Sequence, residues 1–196
     1  MSRPGTVALV RRYPGDDPAE DPEQVARQIL LRRLTDQPRS RAELASTLAR
    51  KGVADDVSGR VLDRFEEVGL VDDDAFAVAW VQTRHRGRGL GRRALAHELR
   101  RKGIDDEVAR TALNDVGEQD ERSAAAELVC RRLPGMSRLT SITAQRRLLG
   151  MLARKGYGAG VAVPVVREAL ANRGGDATDD EHVANAVATD TSLDQQ

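Results

Sequence analysis

A single cysteine, Cys130, leaves this chain unable to form an internal disulfide, which suits a reducing compartment and points to the cytoplasm. No His or acid pattern accompanies it, so it reads as a small apolar group on a helix. Lysine is scarce too: Lys51, Lys102 and Lys155 stand against 28 arginines. The aromatics, Tyr13, Phe65, Phe76, Trp80 and Tyr157, are too few for base stacking to be a main binding mode. No apolar run approaches the ~18 residues of a membrane span, and the N-terminus lacks an apolar core followed by a cleavage site. His85, His97 and His182 have no metal-ligand spacing. With no H-E-x-x-H, cysteine pair or nucleophile turn either, neither a metal, a cofactor nor catalysis is expected.

What the chain does contain is an internal repeat. Leu95, Leu99 and Arg101-Lys102-Gly103 are preceded 51 residues earlier by Leu44, Leu48 and Arg50-Lys51-Gly52, and followed 53 later by Leu148, Leu152 and Arg154-Lys155-Gly156. Beyond each R-K-G, apolar residues recur with i, i+4, i+5, i+8 spacing: Val57, Val61, Leu62, Phe65; Val108, Ala112, Leu113, Val116; Val161, Val165, Val166, Ala169. Each repeat therefore holds a helix ending at R-K-G and an amphipathic helix after it. Glycine suits that stop because a left-handed residue commonly ends a helix, and Arg and Lys suit the negative end of the dipole.

The expected organisation is all-α: a flexible arm over 1–21, three-helix repeats over 22–70, 71–117 and 118–173, and a disordered acidic tail over 174–196. Stacking in line predicts an elongated, curved array of nine helices without strands. The first helix should run from Pro22-Glu23 to about Leu34, with Arg27, Arg32 and Arg33 on its solvent side. Ser40 and Glu43 form a capping box for the second, and Asp55 or Asp56 caps the third, which ends before Gly69. Asp72 to Asp74 open a helix through about Arg84, with Phe76 and Trp80 four apart and expected in the core. Residues 84–93 then form a link to a helix from Arg92 to Lys102, and Asp105 or Asp106 caps the next. The third repeat spans Glu118 to Leu133, a Pro134-Gly135 break, Ser141 to Lys155, and a last helix ending near Arg173. Pro164 predicts that this last helix starts late, because proline is tolerated only in a first turn.

Net charge is zero, yet unevenly laid out. From Glu23 to Arg173 there are 28 basic against 21 acidic side chains, whereas residues 174–196 carry six acids and neither Lys nor Arg. The tail is expected to compete for the basic face. Gly87-Arg-Gly-Leu-Gly91 hints at a phosphate loop but lacks the G-K-[ST] ending and a preceding strand. The better constellation is basic: Arg84, Arg86, Arg88, Arg92 and Arg93 within ten residues, with Arg50, Lys51, Arg101, Lys102, Arg154 and Lys155 recurring at the helix ends. These are the candidate contacts to nucleic acid or to an acidic protein surface, since equivalent positions of stacked repeats fall along one surface.

Gly69-Leu-Val-Asp-Asp-Asp-Ala-Phe76, Trp80-Val81, Arg84, the glycine-rich arginine stretch and Arg93-Ala-Leu-Ala-His-Glu-Leu99-x-x-Lys-Gly-Ile104 together resemble the RecX family. The resemblance covers about Glu23 to Leu170. It implies three tandem three-helix repeats and a non-enzymatic regulator of the RecA recombinase. Such a protein binds RecA and its nucleoprotein filament and inhibits ATP hydrolysis, strand exchange and co-protease activity in recombination, DNA repair and the SOS response. A monomer is expected, with weak direct binding to single- or double-stranded DNA. The alternative is an autonomous helical DNA-binding protein acting without RecA.

Overall fold

A computed structural model describes residues 21–173; the expected arm, apart from Asp21, and the expected tail lie outside the described residues. The chain divides between Val71 and Asp72 into two compact units. The first holds α1 (Pro22–Asp36), α2 (Arg41–Arg50) and α3 (Asp55–Glu67). The second holds α4 (Asp73–Arg88), α5 (Arg92–Arg101), α6 (Asp106–Asn114), α7 (Glu118–Arg132), a 3-10 turn (Pro134–Met136), α8 (Ser141–Arg154) and a final helix, α9, over 159–173. No strand occurs among the described residues.

In the first unit Ala26 and Leu30 of α1, Leu44 and Leu48 of α2, and Val57, Val61, Leu62 and Phe65 of α3 close one apolar cluster. In the second unit Phe76, Ala77 and Val81 of α4 pack with Leu95 and Leu99 of α5 and Ala109, Ala112 and Leu113 of α6. A further cluster joins Ala125 and Val129 of α7 to Leu148 and Leu152 of α8 and Ala162, Val165 and Val166 of α9. The recurring leucines are thus the second-helix contribution to each cluster.

The R-K-G endings are three copies of one hydrogen-bonded stop. Gly52, Gly103 and Gly156 have φ of 78°, 73° and 87°. Their N–H groups reach back to Ala49, Arg100 and Ala153, while the next residues, Val53, Ile104 and Tyr157, donate to Leu48, Leu99 and Leu152. This pair of bonds satisfies carbonyls that a helix end would otherwise leave open.

Capping follows the sequence at Ser40, where hydroxyl and Glu43 carboxylate exchange bonds with each other's backbone, at Asp72 and at Asp105. Three expectations are corrected. The cap position of α3 is Ala54, without a side-chain bond; Asp55 and Asp56 lie in the first turn. There they act on the helix dipole, and the Arg60 guanidinium holds the Asp56 carboxyl below the usual carboxylate range. Next, α4 continues four residues past Arg84, so Arg84, Arg86 and Arg88 are helical and only 89–91 link to α5. Basic groups in its last turn complement the dipole, His85 Nδ1 lies 2.9 Å from the Leu90 carbonyl, and the left-handed Gly89 makes the stop. Finally, α9 begins upstream of Pro164, which sits inside it. The missing proline N–H is tolerated because Ala162, Val165 and Val166 are buried around it.

Candidate functional site

The glycine-rich stretch is the place where the second and third repeats meet. Gly89 N–H closes α4 on His85. Gly91, at the N-cap of α5, has no side chain to satisfy the helix's first amides, and other elements do so instead. Gly91 N–H donates to the Lys155 carbonyl at 2.8 Å, Arg92 N–H to Glu121 Oε1 at 3.0 Å, and Arg93 N–H to the Gly156 carbonyl at 3.2 Å. A helix N-terminus readily holds an anion, and here the anion is the buried Glu121 carboxylate of α7. The resemblance to a phosphate loop thus has a physical basis, but its amides are occupied from within.

The approach is close. A Cβ on Gly91 would stand 2.7 Å from the Gly156 oxygen and 2.8 Å from the Tyr157 nitrogen. Lys155 Nζ donates to the Arg88 carbonyl at 2.6 Å and Tyr157 Oη to the Gly89 carbonyl at 3.2 Å. Burial, reinforced by Glu121 and Glu127, pushes the Tyr157 hydroxyl up to about 12. It therefore remains a neutral donor throughout the ordinary pH range.

Several of the candidate cations are engaged in holding this unit together. Trp80 stacks on Phe76 with centroids 5.6 Å apart, and its Nε1–H donates to Glu98 Oε2 at 2.9 Å. The Arg84 guanidinium lies 4.1 Å from the Trp80 ring centre and 3.5 Å from Glu98, and Lys102 Nζ lies 4.5 Å from the same ring. This α4–α5 cluster combines cation–π and ionic attraction. Phe76 is buried, as expected of a core residue, whereas Trp80 is half-buried under its cations. Arg92 reaches across to the end of α6, donating to the Val116 carbonyl at 3.1 Å and to Asn114 Oδ1 at 3.2 Å.

The remaining candidates lie outward. Arg86, Arg88, Arg93 and Arg101 of the second unit are exposed and have no ion-pair partner among the described residues. Arg154 is also exposed. In the first unit, Arg50 and Lys51 are exposed, and Arg50 donates to Thr47 Oγ1 at 3.1 Å. Sequence reasoning missed a further group: Arg132, Arg146 and Arg147 line a shallow groove of about 530 Å³ with Arg154, Met136 and Met151. Their signal was present as Arg146-Arg147 on the exposed face of α8, but they lie outside the recurring positions. Among the described residues no group of three His, Cys, Asp or Glu is placed to hold a metal, and no helix is long and apolar enough to cross a membrane.

Comparison with known proteins agrees with this architecture. Residues 26–65 match the RecX first three-helix domain and residues 72–113 the RecX second three-helix domain. The regulatory protein RecX of Streptomyces coelicolor is 46% identical over 181 residues, covering 92% of this chain and 94% of that protein. That of Thermobifida fusca is 49% identical over 162 residues, covering 82% and 88%. The crystal structure of RecX from Lactobacillus salivarius aligns at a TM-score of 0.72 and 21% identity, over 76% of this chain and 96% of that one, a likeness of fold. With two domain matches in register with its helices and relatives of this identity along nearly its whole length, the chain belongs to the RecX family of regulatory proteins.

Proposed function

We propose that this chain binds RecA and the RecA filament on single-stranded DNA and restrains its ATPase, strand-exchange and co-protease activities. It would act in the cytoplasm, in recombination, DNA repair and the SOS response. The observation that carries the reading is the kinship with proteins named regulatory protein RecX over 92% of the chain. Supporting it on the molecule is the set of outward cations, Arg86, Arg88, Arg93 and Arg101, which no acid in the described residues neutralises. A polyanionic filament, or acidic surfaces of the recombinase, would supply the missing partners.

The test is inhibition of RecA's DNA-dependent ATPase at substoichiometric amounts of the chain, compared with Arg86→Glu/Arg88→Glu. The double variant is expected to need at least tenfold more protein for the same inhibition. Equal potency would remove these arginines from the interface; no inhibition by the unaltered chain would remove the reading itself. Binding to DNA alone separates the alternative. An autonomous DNA binder keeps its affinity without RecA, and each phosphate it contacts on a single strand contributes about −0.7 to the slope of log affinity against log salt.

A further inference from the structure

The arginine groove on the third repeat is unlike the other basic surfaces. Arg132 comes from the last turn of α7, and Arg146, Arg147 and Arg154 from α8, with Met136 and Met151 between them. All four arginines are exposed, and none has an ion-pair partner among the described residues. By contrast, Arg41 in the first unit bridges Asp63 and Glu66, and Arg122 on α7 pairs with Glu168 at 3.1 Å. Four like charges around one groove repel each other unless an anion lies among them.

The chain itself brings acids to this place. Arg173, at the end of α9, donates from Nη1 to the Met136 carbonyl at 3.2 Å and from Nη2 to the Leu139 carbonyl at 2.9 Å. Arg173, the last described residue, thus reaches with its side chain the 3-10 turn that carries Met136, a residue of the groove lining. Asp176, Asp179, Asp180 and Glu181 follow within eight residues. An extended chain of that length reaches at most roughly 26–29 Å, more than twice the width of a helix with its side chains, about 10–12 Å. Lys and Arg are absent from 174–196, so nothing in the segment opposes its attraction to the groove.

We infer that the acidic segment from Asp176 to Glu181 docks in the groove formed by Arg132, Arg146, Arg147 and Arg154, as an internal anion. Any other polyanion that uses this groove must displace it. The contact is electrostatic, short in sequence and reversible, and it places the segment's influence on α7 and α8 rather than on the cations near Gly91. It does not depend on RecA being the partner.

The full chain offers a direct test, because its methionines are only Met1, Met136 and Met151, two of which line the groove. A nitroxide attached at Thr178→Cys, in a chain carrying Cys130→Ser, is read through the methyl resonances of 13C-labelled methionine. At low salt the Met136 and Met151 signals are expected to broaden. The broadening should be lost on moving from about 0.01 M to about 1 M salt, which shortens the screening length from roughly 30 Å to 3 Å. It should equally be lost in Arg146→Glu/Arg147→Glu and in Asp179→Asn/Asp180→Asn/Glu181→Gln. The second variant leaves the folded body untouched, so its result stands whatever the first does to stability. Broadening that survives salt and the tail substitutions would show a segment merely tethered nearby; absence of broadening at low salt would show that it lies elsewhere. Either result overturns the inference.

Discussion

Two arginine-rich regions of the second unit carry similar charge and differ in what surrounds it. Around the 89–91 link, Arg84 rests on Trp80 and Glu98 and Arg92 holds the end of α6, while the α5 amides are closed by Glu121, Lys155 and Gly156. Along α7 and α8, Arg132, Arg146, Arg147 and Arg154 face outward around a groove. The first region is a structural joint with an outward fringe of Arg86, Arg88 and Arg93; the second is a surface. Density of charge in a sequence marks neither, because a guanidinium serves equally well as internal clamp or external contact.

The sharpest way to break that comparison is to crowd the joint. Gly91→Ala would drive a methyl into the backbone of Gly156 and Tyr157, and should destabilise the second unit by about 2–3 kcal/mol in urea unfolding. Gly87→Ala, in the last turns of α4 with nothing within 4 Å of the new methyl, should be neutral or stabilise by up to about 1 kcal/mol. If the two glycines behave alike, the link is not a packing joint.

Removing the anion is the next largest perturbation. Glu121→Ala leaves the Arg92 amide without its acceptor and should reduce stability by about 1–3 kcal/mol. Arg92→Ala, which removes the bonds to Val116 and Asn114, should fall in a similar range. Arg93→Ala and Arg146→Ala, both exposed, should stay within about 0.5 kcal/mol. Chemical denaturation of the four variants sorts joint from surface directly.

The smallest effect is a pH dependence. The Tyr157 hydroxyl is raised in the folded chain to about 12 from an ordinary 10, so the unfolded chain ionises first as pH rises. Its contribution is fully present below pH 10 and lost as pH rises towards 12. Tyr157→Phe should flatten the alkaline decline in unfolding midpoint over that window. An unchanged decline would assign it to other groups.

The glycine motif shows where reading from sequence stops. A run such as R-G-R-G-L-G-R-R suggests a link between helices that includes Arg86 and Arg88; both in fact belong to α4. Residues in contact across 67 positions, such as Lys155 with Arg88, leave no local trace, so neither the joint nor the role of Glu121 was legible. The cap of α3 failed for a related reason: two adjacent aspartates fit a cap or a first turn equally, and backbone geometry at Ala54 chose the latter. Pro164 reads as a start signal, but the apolar side chains around it carry the helix through.

By itself the sequence determined what is local and periodic. The spacing of Leu44, Leu48 and their two later counterparts set the buried face of each second helix, and lysine followed by glycine set its end, since only glycine takes the left-handed turn at little energetic expense. Family membership lay in the same local motifs around Phe76, Trp80 and Gly103. Which arginines are bound inward and which face solvent was decided only by tertiary structure. That choice depends on acids, carbonyls and aromatic rings brought from distant segments, and on how completely each charge finds a partner once the helices pack.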